Sequence, residues 1–302
     1  MKVVSSDYNP STGSLLPSTR SGSTFWREQW RQLKLAHFAV PNYGNSQQFW
    51  GSKKMVHAVY LKDHKKRDET VENRLNVMNI PEGLRVLDIG AGPGTYAIPL
   101  AQKGCSVTVV EPSPVMREAL EKRLSEEGIH TIRIIPKRWE DVSIVELEKP
   151  FDVIIASYSL TMTDMGEALE KMHACCNGTV HLFWFLTSPS WVQVNMDLWH
   201  HLHGGNFPGE PTADWLWQIL YEMGIYANLS VEMKFPAPVY LTVDDAVNEF
   251  RQRLNCTSPV HEETIRNYFQ SILRQEERGL VLGRETLGAH IWWTNTRPRN
   301  SW

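Results

Sequence analysis

A doubly wound α/β domain with a mostly parallel sheet is predicted by three features of the sequence. Short apolar runs rich in β-branched residues recur, helical patterns separate them, and a glycine-rich turn follows the first. The runs are 84–89 (LRVLDI), 106–111 (SVTVVE), 131–135 (TIRII), 151–156 (FDVIIA) and 179–185 (TVHLFWF). Strands this short and this apolar are buried on both faces, and alternation with helices favours parallel pairing with helices covering both sides.

The segments around these runs follow in order. Residues 1–24 are mostly Ser, Thr, Pro, Gly and Asn, with too little apolar surface to offset the entropy of ordering them, so a mobile tail is expected. A helical cap is expected over 25–79, with helices at 25–37, 46–61 and 63–78 and a loop around Pro41-Asn42-Tyr43-Gly44. Val71, Leu75 and Met78 fall on one face of the third helix. Residues 80–186 hold the five runs, and 187–302 form the remainder. That remainder begins with an aromatic- and His-rich stretch at 188–211, then a helix at 212–223 and a strand at 227–235. Helices at 243–254 and 261–275 precede a last run at 290–295, with Pro236, Pro238 and Pro259 as boundaries. No internal repeat is visible.

Composition narrows the class. At 302 residues, 42% hydrophobic and 22% charged, the chain can bury a sizeable core, which excludes collagenous, disulfide-scaffold and wholly disordered readings. Its four cysteines (Cys105, Cys175, Cys176, Cys256) include no Cys-x-x-Cys pair, so no thiolate zinc site or disulfide framework is encoded. A net charge of −3 gives no global field for nucleic acid or anionic lipid. No apolar stretch has the roughly 18 residues of a membrane helix, and the first residues lack a signal peptide's apolar run. A cytoplasmic, soluble protein is expected.

The chemistry-bearing segment is Val86-Leu87-Asp88-Ile89-Gly90-Ala91-Gly92-Pro93-Gly94-Thr95, a strand entering a glycine turn and then a helix. Glycines allow the tight turn and let a ligand approach backbone amides above the carboxyl edge of the sheet. Glu111 ends the next strand, where a carboxylate can accept hydrogen bonds from two ribose hydroxyls. Turn and acid in register imply a nucleoside-containing ligand. A nicotinamide dinucleotide would call for Gly-x-Gly-x-x-Gly, but the sixth position from Gly90 is Thr95.

The spacing Gly90-x-Gly92-x-Gly94 after Asp88 instead resembles motif I of the class I S-adenosylmethionine-dependent methyltransferases, and 109–116 (VVEPSPVM) resembles their second motif. The resemblance covers about 84–185 and is nearest to the group acting on small molecules. It implies a Rossmann-like, mostly parallel seven-stranded sheet, capped by the N-terminal helices and by C-terminal insertions. It further implies that Asp88 and the backbone of Gly90, Ala91 and Gly92, within the turn closed by Gly94, hold the methionine part of S-adenosyl-L-methionine. Glu111 would take the ribose, Pro112 and Met116 would flank the adenine, and Trp139 and Glu140 would meet its edge. Lys137 and Arg138 stand where the commoner pattern has Gly-Asp. Ser157 would lie beside the methionine amino group.

Plainer roles exist for several of these residues. Asp88 can fix the turn through its amides, and Trp139 and Tyr158 can simply pack. His200-His201-Leu202-His203 lacks Cys or acidic partners at ligand spacing, so no metal is expected. Tyr158 and His203 are the candidate catalytic residues, His203 as a proton acceptor. The basic run Lys53, Lys54, Lys62, Lys65, Lys66 and Arg67 reads as a solvated face or as a rim attracting anions. After the fourth strand, Ala156-Ser157-Tyr158-Ser159 lacks the Pro-Pro-aromatic segment of nucleic-acid amino methyltransferases, and no Pro-Cys nucleophile occurs. The expectation is methyl transfer to a small molecule, with a protein side chain as a second acceptor class. A silent S-adenosylmethionine-binding sensor or scaffold and an NAD-dependent oxidoreductase are the rival readings; the acceptor and the oligomeric state are left open.

Overall fold

The computed structural model describes residues 24–40, 53, 64–148, 150–235 and 237–295. Apart from Thr24 and Lys53, the expected tail at 1–24 and helix at 46–61 lie outside the described residues. The N-terminal half comprises α1 (Phe25–Phe38), α2 (His64–Met78), β1 (Arg85–Ile89), α3 (Ala97–Gln102), β2 (Ser106–Val110), α4 (Pro114–Glu126), β3 (Arg133–Ile135), β4 (Phe151–Ser157), α5 (Met165–Ala174) and β5 (Cys176–Phe185). The chain continues with α6 (Ser190–His203), α7 (Ala213–Glu222), β6 (Asn228–Phe235), β7 (Val239–Tyr240), α8 (Val243–Arg253), α9 (Pro259–Ile272), β8 (Leu273–Glu276), β9 (Gly279–Leu282) and β10 (Thr286–Thr294).

Seven strands make one sheet in the order β3-β2-β1-β4-β5-β10-β6. The first five pair in parallel, and β10 runs antiparallel between β5 and β6. The sheet is the mostly parallel one expected, with helices against both faces. Alternation along the strands sorts side chains onto two cores. Leu87, Ile154, Leu182 and Ile291 join Trp30, Leu169 and Leu216 on one side; Val86, Val109, Ile155 and Phe183 join Val71, Ile98 and Leu120 on the other.

Local chemistry sets the helix starts that frame the carboxyl edge. Ser113 accepts the amide hydrogen of Met116 ahead of Pro114, and Asp164 accepts that of Glu167, so α4 and α5 begin on side-chain caps. Strand order reverses between β1, flanked by β2, and β4. That reversal opens a crevice outside the carboxyl ends of these strands, which is where open α/β sheets bind ligands.

Two features differ from the sequence expectation. The stretch 188–211 contains α6, whose Val192, Leu198, Trp199 and Leu202 pack with α8 and α9 in a third core. The helix expected to 275 ends at Ile272, and the chain passes into β8, part of a small antiparallel sheet ordered β7-β9-β8. Strands of two to four residues carry too little alternation to be distinguished from loop.

Candidate functional site

The turn between β1 and α3 uses its glycines for conformation and for space. Gly90, Gly92 and Gly94 have φ of +73°, +57° and +82°, in the left-handed region. At Gly90 a Cβ would also sit 2.3 Å from the Cβ of Ser159. Ser159 is fixed there because its Oγ donates to the Ile89 carbonyl at 2.6 Å. The Gly90 amide donates to the Val110 carbonyl at 2.7 Å, tying the turn to β2.

The two acids at the tips of β1 and β2 are both buried, but they differ in how they are satisfied. Glu111 accepts from the Gly92 amide and from the Ser113 amide, both at 2.8 Å, so one carboxylate clamps the glycine turn to the start of α4. Burial raises its pKa, against the pull of those two amides and of Arg117. Asp88 is 1% exposed, and its Oδ2 has no hydrogen-bond partner. Burial, and next the charge on Glu111, push Asp88 up to about 7, with the Ala97 amide opposing. An unmet buried carboxylate oxygen beside amide donors suits a ligand that brings its own cationic donor.

At the end of β4 the sequence signal is thinner and the structure adds residues. Ser157 Oγ donates to Tyr96 Oη at 3.3 Å. Tyr96 Oη also accepts from Arg74 Nη1 at 3.0 Å, and Tyr158 Oη accepts from Arg74 Nη2 at 3.2 Å. Arg74 Nε faces both oxygens of Glu232 at 3.1 and 3.0 Å, closing a buried network that joins α2, the residue capping α3, the end of β4 and β6. Burial works against the charge on Arg74, yet Tyr96, Tyr158 and Glu232 together hold the guanidinium protonated above its ordinary value. Tyr158 has φ +52°, a strained conformation for a non-glycine residue, in the turn between Ser157 and the pinned Ser159. Burial raises the Tyr158 hydroxyl well above its ordinary range, so it stays protonated. Arg74, Tyr96 and Glu232 escape sequence reasoning. Arg74 lies in a helix rich in charge, and only the inward charged residue of β6 among apolar neighbours hints at a partner.

The remaining predicted residues divide between the crevice and elsewhere. Met116 is buried at the start of α4, and the Pro112 carbonyl accepts from Arg117. Trp139 begins a one-turn helix; its indole is buried and donates to the Ala168 carbonyl, and Lys171 lies 5.0 Å over its ring. The indole therefore packs. Glu140 pairs with Arg138 at the surface. His203 is not brought to the β1–β4 edge: Nε2 donates to the Leu254 carbonyl at 2.9 Å, and the ring packs on Trp199 in the third core. Among the described residues no three His, Cys, Asp or Glu side chains gather as a metal site requires, and no helix is long and apolar enough to cross a membrane. Of the basic run, Lys53 pairs with Glu118.

Comparison with known proteins agrees with this geometry. Residues 86–178 match the family model described as a methyltransferase domain. An uncharacterized protein of Haemophilus influenzae is 34% identical over 156 residues, covering 52% of this chain and 56% of its own, so the chain spans about half the length of this curated relative. The crystal structure of the YcgJ protein of Bacillus subtilis superposes with a TM-score of 0.52 at 15% identity, covering 76% of this chain and 99% of that one. A phosphoethanolamine N-methyltransferase of Haemonchus contortus, solved with phosphomonomethylethanolamine and S-adenosylhomocysteine, gives 0.51 at 13% identity over 83% of this chain and 58% of that one. Domain match, strand order and glycine turn together make residues 86–178 similar to the methyltransferase domains that this model describes.

Proposed function

We propose that the chain is an S-adenosylmethionine-dependent methyltransferase acting on a small molecule in the cytoplasm. The observation that carries this reading is the pairing of Asp88 Oδ2, buried and unpartnered, with Glu111 across the glycine turn. The acid pair fits the compound: Asp88 suits an ammonium, and Glu111 suits a ribose diol once it releases the Gly92 amide, which then faces the methionine carboxylate, while the Gly90 amide stays bonded to the Val110 carbonyl. Met116 and Pro112 would flank the adenine, with the Trp139 backbone and Glu140 toward its edge, and Ser157 beside the methionine amino group.

When bound, the cofactor supplies a methyl group on a sulfonium, an excellent leaving group. The chain's own residues then need only hold the acceptor atom in line with that carbon and keep water out. Tyr158 and the partly buried Phe185 and Trp191, packed ring against ring at 4.7 and 5.4 Å, form an aromatic edge suited to a compact acceptor. The protonated Tyr158 hydroxyl serves as an orienting hydrogen-bond group rather than a base. His203 has no part in this reading. The four cysteines, all unpaired thiols, accord with a reducing compartment.

Incubation with S-adenosylmethionine labelled in its methyl group and fractionated small metabolites tests the proposal. Label should enter a small-molecule fraction. Firm binding without label transfer to any fraction would favour a sensor or scaffold, and tight NADH binding without S-adenosylmethionine binding would make the site a dinucleotide site.

A further inference from the structure

Arg74 presents a problem for a site that takes a cation. Its side chain is 8% exposed, and its guanidinium lies 4.8 Å from the centre of the Phe183 ring and donates to Tyr96, which in turn meets Ser157. One hydroxyl separates this buried positive charge from the residue assigned to the methionine end of the cofactor. An uncompensated charge there would repel a sulfonium by Coulomb's law in a medium that screens poorly. Compensation comes from the carboxylate of Glu232 on the far edge strand, which contacts Nε with both oxygens and Nη2 at 2.7 Å.

We propose that Glu232 is a specificity-determining residue for the cofactor's charge: by neutralising Arg74 beside Ser157, it lets a cationic sulfonium bind as readily as its neutral thioether product. This rests on the assignment of the crevice to S-adenosylmethionine. The two compounds differ at sulfur by one methyl group and one positive charge, so their affinity ratio reports the local charge and little else. A purely structural role for the ion pair would weaken both compounds alike.

The test is calorimetric titration of the full chain with S-adenosylmethionine and, separately, with S-adenosylhomocysteine. In Glu232→Gln the preference for the neutral compound should grow by about tenfold to a hundredfold, the range expected for an added unit charge at about 6–12 Å and an effective dielectric near 20. In Arg74→Met the ratio should move the opposite way, which keeps the test open should Glu232→Gln not fold. The double variant Arg74→Met/Glu232→Gln should restore the wild-type ratio within about threefold, by the same charge count. Equal weakening of both ligands in either single variant, or an unchanged ratio, overturns the role of Glu232 and leaves the cofactor assignment standing. Wild-type protein that binds neither compound overturns the assignment itself, and this inference with it.

Discussion

Replacing Gly90 by alanine should be among the most damaging single-methyl changes in the molecule. The added Cβ would lie 2.3 Å from Ser159 Cβ and 2.9 Å from Ser159 Oγ, well inside contact distance. Ser159 cannot swing aside without losing its bond to the Ile89 carbonyl, and the preceding Tyr158 is already at a strained φ. A left-handed φ costs an L-residue about 1–2 kcal/mol, and forcing extra volume into a packed site adds about 1–3 kcal/mol. A loss of about 3 kcal/mol follows, read as a fall in the urea midpoint at unchanged slope. The two contributions separate in a Ser159→Gly background, which removes the clashing Cβ and retains the φ penalty. There Gly90→Ala should cost only about 1–2 kcal/mol. The same cost in both backgrounds, or a change below about 0.5 kcal/mol in the wild type, would refute the steric reasoning.

Three further expectations follow from the site and from the N-terminal helix. Glu111→Ala should weaken S-adenosylhomocysteine binding by about 1.5–3 kcal/mol, the scale of hydrogen bonds to a charged group; an unchanged calorimetric affinity would put the ribose elsewhere. Asp88 has its folded pKa raised to about 7 from 3.8, so its contribution to stability is full below about pH 4 and is lost as pH rises through 7. Urea stability of the wild type should thus lose ground to Asp88→Asn between about pH 4 and pH 7, and S-adenosylhomocysteine affinity should rise over about pH 6–8 in the wild type alone. In the α1 anchor, Lys34 is 1% exposed and pairs at 3.0 Å with Glu210, which is 26% exposed. Glu210→Ala strands a buried ammonium and should cost about 3 kcal/mol, whereas Lys34→Met leaves a carboxylate that water can reach and should cost about 1 kcal/mol. Equal losses in the two urea curves would contradict that asymmetry.

The parts of the molecule legible in the sequence are those in which neighbouring residues do a job together. Val86 to Thr95 contains the strand, the φ > 0 positions and the entry to the helix in one stretch, and Glu111 falls at the next strand end because strand and helix lengths in such units vary little. The five parallel strands are legible to within a few residues because each carries a run of buried apolar side chains, although β3 opens on the exposed Arg133 and β5 begins at Cys176, ahead of its apolar run. Helix α6 is obscured because its His and Trp residues suggest chemistry, although most of its aromatic and aliphatic side chains pack against α8 and α9. His203 lies at the end of the same helix, its ring on a carbonyl contact that no local pattern distinguishes from a poised base.

The acceptor side of the crevice resists sequence reading for a reason rooted in the proposed reaction. With the leaving group already built into the cofactor, the protein needs shape, dryness and balanced charge there rather than a nucleophile or metal of recognisable spacing. Those properties come from residues far apart in the chain. Arg74 finds its carboxylate 158 positions later, its two hydroxyl partners lie just before α3 and just after β4, and Phe183 under the guanidinium comes from β5. Each alone looks like an exposed charge or a core ring, and only the sheet order that sets β6 beyond β10 and β5 brings them to one place. The local turn identifies which cofactor can bind, whereas the long-range charge pair governs whether its cationic form is tolerated; the Glu232→Gln and Arg74→Met ratios separate these two levels within one protein.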